Sequence, residues 1–350
     1  MSQIPVAPLP AAPLDGGPDG GVARAAAPPL PPPGPSGGMR TRAVVRGVWR
    51  LATVNRKVMV GSAIVAFFAL VALVGPLIIR QNPLAYTHDL VQPPSAAHWL
   101  GTNQAGQDVF IQLVVGTRGS LVWALITGLM VLVIAVTVGL VSGFFGGFVD
   151  DALSLITNVF LVIPSFPLAI VVVQYFNRSA LTIALVVALT NWPWGARVLR
   201  AQTLSMRQRE FVTAARASGE RTWRIIFMEI LPNEISIVAA SFITTTIQVL
   251  LAVAGLEFLG FGDSAALSWG TMLYDAYNGS ALFQGAWWWF APPGICIAVL
   301  GSGLALLNFG IDELADPRLR QAKREARGAI FRRLGRSAVN STTNSKAGAA

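Results

Sequence analysis

The sequence predicts an all-α polytopic membrane protein with six transmembrane helices, on three observations. Hydrophobic residues make up 53% of the 350-residue chain and charged residues only 12%, with a mean hydropathy of +0.58. A soluble fold of this length carries more charge. Apolar segments of about 20 residues, enough to cross a hydrocarbon core, occur at Val58–Ile79, Ser120–Phe148, Leu153–Phe176, Ala180–Val198, Ile235–Gly260 and Trp287–Ile311. With the N terminus in the cytoplasm, 23 of the 26 basic residues fall in cytoplasmic segments. That asymmetry fixes a multi-pass orientation with both termini inside. The net charge of +9 is then a topology signal, with membrane lipid as its partner and no nucleic acid.

Residues 1–40 hold 11 of the 22 prolines and 7 of the 34 glycines and almost no large apolar side chains. They are expected to form a disordered Pro/Gly/Ala-rich cytoplasmic tail, and no apolar h-region precedes Arg40 as a cleaved signal would require. Residues 41–57 are basic with Val, Trp and Leu interleaved, which suits an interfacial segment at the inner leaflet. The first transmembrane helix spans 58–79, and an extracytoplasmic loop follows over 80–119. Its His88 and His98 lack the carboxylate or cysteine clustering of a metal site, so no metal is assigned.

Residues 120–311 form the core, with five transmembrane helices. Gly139 and Gly143 in the second span make a small-xxx-small pair suited to close helix approach, with no partner named by the sequence. Asp150 and Asp151 are expected to turn the chain into the third span, where Pro164 and Pro167 kink the helix and free backbone carbonyls at mid-membrane. A translocation pathway tolerates this, and so does a kinked packing helix; both readings stand. The fourth span ends with Asn191, Trp192 and Trp194 at the membrane and Arg197 and Arg200 at the cytoplasmic face. Glu257 lies near the external end of the fifth span, a costly place for an ionisable group without water, a cation or a hydrogen-bond partner. It is therefore a functional candidate, with plain hydration as the alternative. Residues 312–350 are expected to be a basic cytoplasmic tail, and Cys296 an ordinary small residue in an apolar run.

The longest polar interval in the second half is the 207–232 loop. A helix from Glu210 to Ser218 would carry Phe211, Ala214, Ala215 and Ser218 on one face, a surface that a second backbone can approach closely. Gly219 supplies a stop in which positive φ costs little. Thr222 can cap a second short helix with Trp223, Ile226 and Phe227 on one side, and Pro232, by pushing Leu231 away from helical ψ, is expected to close the unit.

TAARASG followed nine residues later by EILP resembles the EAA loop of ABC importer permeases. Ala214, Ala215, Gly219, Leu231 and Pro232 match, while Thr213 stands for the pattern's Glu and Glu229 for its Ile. Three further stretches resemble the dipeptide/oligopeptide/nickel group of those permeases: LGTNQAGQDVF with GTRGSL before the second span, AGLEFLGFG at the end of the fifth, and the terminal NFGIDELADPRLR. Trp192, Ala196, Arg197 and Arg200 also follow that group's order, whereas Gln107 and Glu257 replace its usual Arg and Ser. The resemblance implies the type I importer permease fold in the C-type position, in the plasma membrane of a prokaryote. The 207–232 loop, with Glu210, Ala214, Ala215, Gly219, Leu231 and Pro232, would be its ATPase-coupling element. Pro164, Pro167, Trp192 and Glu257 would line the pathway. Implied partners are a homologous second permease, two cytoplasmic ATP-binding subunits and an extracytoplasmic solute-binding protein. ATP-Mg would sit on the ATP-binding subunits and no cofactor on this chain. The implied cargo is di- or oligopeptide, with nickel or oligosaccharide as alternatives.

The chain is not expected to be an enzyme. A Walker A loop needs Gly-Lys-Ser/Thr, and Lys57, Lys323 and Lys346 follow Arg, Ala and Ser. Nor are HExxH or a GxSxG with a plausible triad found. An ion-driven transporter or channel would also fit six spans, but would normally carry ionisable groups at mid-membrane.

Overall fold

The computed structural model describes residues 56–263 and 266–315, the side chains only as far as 310. The 1–40 tail, almost all of the 41–57 segment and the residues after 315, with the DPRLR run, lie outside the described residues. Among the described residues the chain is helical, with one isolated β-bridge between Thr102 and Asp108. The helices are α1 Arg56–Ile78, α2 Val109–Phe145, α3 Gly147–Val162, α4 Ser165–Val173, α5 Ala180–Met206, α6 Glu210–Ala217, α7 Thr222–Phe261, α8 Trp269–Asn278 and α9 Trp287–Ala315.

Four of them (α1, α2, α7 and α9) are long and apolar enough to cross a membrane, and the bent pair α3 and α4 makes a fifth if the two are counted as one span. At the expected fourth span stands α5, whose 27 residues reach about 40 Å at 1.5 Å per residue but which is not among the helices apolar enough to count as a crossing. It is less apolar than the others because Asn191, Pro193 and two tryptophans occupy its middle. That composition is tolerated because α5 runs inside the bundle, with Ile183, Val187, Ala188 and Leu199 fully buried.

Three local rules set the helix starts. Asp108 caps α2, its Oδ1 accepting from the Phe110 and Ile111 amides at 2.8 and 3.1 Å, so α2 begins eleven residues before the expected Ser120. His98 Nδ1 bonds the other carboxylate oxygen at 2.8 Å, which gives this histidine a positioning task. Ser179 caps α5 through the Thr182 amide, and Ser268 with Thr271 forms a capping box on α8. Removing the α2 cap with Asp108→Ala is expected to cost about 1 kcal/mol, read as a lowered Tm of the detergent-solubilised protein.

Gln107, the departure from the family's Arg, is buried. Its Oε1 accepts from Asn103 Nδ2 and Gln112 Nε2, both at 2.8 Å, and its Nε2 donates to the Leu84 carbonyl at 3.1 Å. A closed network of neutral amides thus pins the segment after α1 to the start of α2.

The long axis of the bundle is α2 against α5. An added Cβ at Gly139 would lie 2.8 Å from the Ala196 carbonyl, and one at Gly143 would lie 2.7 Å from Thr203 Cβ and 2.8 Å from the Arg200 carbonyl. The small-xxx-small pair therefore has α5 as its partner, and the backbones meet because neither glycine carries a side chain. On the other side Gly61 of α1 approaches Gly303 of α9 in the same manner. The outward faces remain apolar: Leu70, Leu73, Leu77 and Ile78 of α1 are each at least 60% exposed, a surface that suits lipid.

Two expectations about turns change. The turn into the third span is made by Gly146 and Gly147, at φ 68° and 53°, whereas Asp150 and Asp151 lie in the first turns of α3. The double proline does more than kink a helix: α3 and α4 meet at 88° across Ile163 and Pro164. Only Pro164 sits at the break; Pro167 falls in the first turn of α4, where a missing N–H costs nothing.

Candidate functional site

The 207–232 loop folds as two helices at one end of the bundle. The first, α6, closes in a complete Schellman motif: the Gly219 amide donates to the Arg216 carbonyl at 3.0 Å, and the Glu220 amide donates to Ala215 at 3.1 Å. Gly219 takes φ +73° as expected, and no atom lies within 4 Å of the position a Cβ would fill. Its requirement is conformational, with no steric component.

Three details differ from expectation. The N-cap position of the second helix is Arg221, without a side-chain bond, and Thr222 is the first helical residue. Leu231 keeps helical angles, φ −54° and ψ −42°, and the chain runs on through Pro232 as one 40-residue helix, α7. The reason is a widened turn over Ile225–Ile230: the Leu231 amide bonds Ile226, five residues back, which makes room for the proline ring. Ile226 also points inward; it is buried, while Trp223 and Phe227 are exposed.

Val212, Ile225, Ile226 and Ile230 pack with Leu140 and Phe144 of α2, with Phe211 and Ala215 at the margin. Of the four residues expected on one face, Phe211 and Ala215 thus turn partly inward, and Ala214 and Ser218 outward. The outer surface presents Glu210, Thr213, Ala214, Ala217, Ser218 and Gly219 beside Trp223, Phe227 and Met228, all exposed. Small residues here lie next to exposed large apolar ones. Thr213, where the family pattern has Glu, lies on this surface.

One polar contact ties this loop to the bundle, and others hold the adjoining helix ends together. Arg207 donates to the Gly143 carbonyl at 3.2 Å. Arg200 on α5 makes a two-pronged pair with Asp150, Nε to Oδ1 at 2.5 Å and Nη2 to Oδ2 at 2.7 Å, and Ser142 and Ser154 donate to the same carboxylate. Thr203 meets the buried Glu234 of α7 at 3.3 Å. These bonds join the end of α5 to α2, α3 and α7. The Asp150–Arg200 pair was not singled out from sequence, because 50 residues separate its members.

Midway along the bundle a cavity of about 540 Å³ opens at the α3–α4 break, lined by Phe160, Ile163, Pro164, Asn191, Trp194 and Gln248 among others. Of the residues expected on the pathway, Pro164 lines it and Pro167 does not. Trp192 is buried, its ring 5.7 Å from that of Phe160, and the neighbouring Trp194 takes the open side. Gln248 was missed; a lone carboxamide in an apolar run was the available signal.

Glu257 is likewise placed otherwise than expected. It is 95% buried, Ser268 Oγ donates to its Oε2 at 2.6 Å, and a Cβ on Gly270 would collide with that carboxylate. Glu257 thus fastens α8 to the end of α7. A hydroxyl, as in the family pattern, would be too short for that reach. Ser268→Ala is expected to lower Tm by loss of this bond and the α8 cap together, about 1–3 kcal/mol, with cargo preference unchanged.

Comparison with known proteins agrees with this architecture. The family described as binding-protein-dependent transport system inner membrane component matches residues 135–321, which include the cavity, the loop and the buried Glu257. The dipeptide transport system permease protein DppC of Alkalihalophilus pseudofirmus is 33% identical over 269 residues, 76% of this chain and 87% of that one. The oligopeptide transport system permease protein OppC of Bacillus subtilis is 32% identical over 272 residues, 76% and 87% of the two chains. The nickel transport system permease protein NikC of Escherichia coli is 32% identical over 265 residues, 73% and 92%. The chain belongs to the family of binding-protein-dependent transport system inner membrane components, the multi-pass permease subunits of plasma-membrane transporters.

Proposed function

We propose that this chain is the C-type permease of an ATP-driven peptide importer and forms half of its translocation pathway. The observation that carries the reading is the outward surface of α6 and the start of α7: small residues around a conformationally fixed Gly219, flanked by exposed Trp223 and Phe227, and held against α2 by the Arg207–Gly143 bond and the packing of Val212. In this reading a cytoplasmic ATP-binding subunit covers that surface, and a second, homologous permease covers the open side of the cavity. Both termini and the loop then lie in the cytoplasm, where the basic residues concentrate. ATP binds between the two ATP-binding subunits. Their closure pushes α6, and the bonded ends of α2, α5 and α7 tilt together, exchanging an inward-open for an outward-open pathway. A solute-binding protein delivers the cargo on the far side.

Peptide is preferred as cargo because the dipeptide and oligopeptide relatives cover most of this chain. Nickel is the second reading, favoured by the similarity to the nickel permease of Escherichia coli. Reconstitution of the complete transporter with its binding protein in ATP-loaded proteoliposomes decides between them. Uptake of labelled tripeptide, with no uptake of nickel ion, is the expected result; nickel uptake without peptide uptake would overturn the choice, and uptake of neither by an assembled complex would overturn both.

A further inference from the structure

Resting on the peptide reading above, we infer that the cavity at the α3–α4 break is a charge-neutral station that hydrogen-bonds the main chain of an extended peptide. Its first anchor is Gln248. This residue lies within the apolar stretch Leu231–Leu256 of α7, is exposed, and has no hydrogen-bond partner among the described residues. A carboxamide carries two donors and an acceptor, and leaving these unpaired in hydrocarbon is costly. It therefore faces something that hydrogen-bonds.

The second anchor is Asn191, near the middle of α5 on the same cavity. Its Nδ2 is used up by the Val187 carbonyl at 2.9 Å and Thr190 Oγ1 at 3.0 Å, which leaves Oδ1 as an acceptor. The third contribution is backbone. α3 ends at Val162 and Pro164 brings no N–H, so the carbonyl of Phe160, four residues earlier, has no helical partner, and Phe160 lines the cavity. Donors and acceptors together match a peptide main chain, which presents both in alternation.

The lining contains no Asp, Glu, Lys, Arg or His. A neutral wall pairs with the repeating part of a peptide and neither attracts nor repels its side-chain charge. The volume, about 540 Å³, lies within the range of small-molecule sites. Phe160, Pro164 and Trp194 supply apolar surface that tolerates varied side chains.

The test is charge selectivity of the complete reconstituted transporter toward Ala-Ala-Ala, Ala-Lys-Ala and Ala-Glu-Ala, each variant compared with wild type using the same binding protein. Gln248→Glu places a carboxylate on the station and is expected to raise the Lys-to-Glu uptake ratio about tenfold, since charges at such short range interact strongly. Gln248→Leu should lower uptake of all three alike, with the subunits still co-purifying. Asn191→Asp repeats the first experiment from α5, should the Gln248 variant fail to assemble. An unchanged ratio in both acidic variants overturns the station. So does loss of the second permease on purification of Gln248→Leu, which would assign the amide to the subunit interface. If wild type imports none of the three peptides, it is the peptide reading itself that fails, and this inference with it.

Discussion

Gly219→Val is expected to abolish uptake and cargo-stimulated ATP hydrolysis while leaving membrane abundance and subunit co-purification close to wild type. The glycine sits at φ +73° with open space around it, so the valine meets no neighbour within this chain. What it meets is its own backbone: an L-residue in the left-handed region loses about 1–2 kcal/mol, and a β-branched one more. That is enough to open the Schellman motif and release α6 from the angle at which Val212 and Arg207 hold it. Gly219→Asn separates conformation from bulk, because asparagine tolerates this region. It should retain most of the activity, and Gly219→Ala should fall between. An asparagine variant as dead as the valine variant would instead mean that a partner packs directly on the missing side chain.

The second large effect is expected at Gly143. Gly143→Leu inserts a side chain where even a Cβ would stand 2.7 Å from Thr203 and 2.8 Å from the Arg200 carbonyl. Backbone cannot give way there without parting α2 from α5, the most extensive helix pair of the bundle. The expected cost is about 1–3 kcal/mol or more, seen as low membrane abundance and a depressed Tm. Because Arg207 bonds the Gly143 carbonyl and Arg200 bonds Asp150 next to it, the protein that does fold should also couple poorly. Gly301→Leu is the matched control: nothing lies within 4 Å of its Cβ position, and stability should hold.

These two glycines also show what could be read from sequence. Gly219 was legible because a helix stop between two amphipathic turns is a local matter, written in adjacent residues. At Gly143 the spacing announced a close approach, but its partner on α5 is some 60 positions away and nothing local names it. The same distinction runs through the rest of the chain. Span existence follows from apolar runs and was clear for α1, α2, α7 and α9, whose ends moved only where a cap or a polar extension decided them, as with Asp108. Pro232 misled because a proline normally ends a helix, and the widened turn before it that absorbs the ring has no simple local signature. Glu257 misled for a different reason: a carboxylate at a span end reads as exposed until Ser268 and Gly270, eleven and thirteen residues on, are folded over it. Trp192 and Trp194 exchange places because the face an α5 residue presents depends on which helices surround it.

The central claim, that α6 and the start of α7 form the docking surface for an ATP-binding subunit, is tested most directly by proximity. Ala214→Cys, in a Cys296→Ser background, places the chain's single thiol at the exposed centre of that surface, where a maleimide-benzophenone can be attached in native membranes. Leu155→Cys, on an outward apolar face of α3, is the reference. Photolysis should join the Ala214 position to one ATP-binding subunit, with a yield that changes on addition of ATP and vanadate, and should leave the Leu155 position joined to lipid alone. Equal capture at both positions, or capture of no ATP-binding subunit at Ala214 in a complex that contains one, would contradict the account.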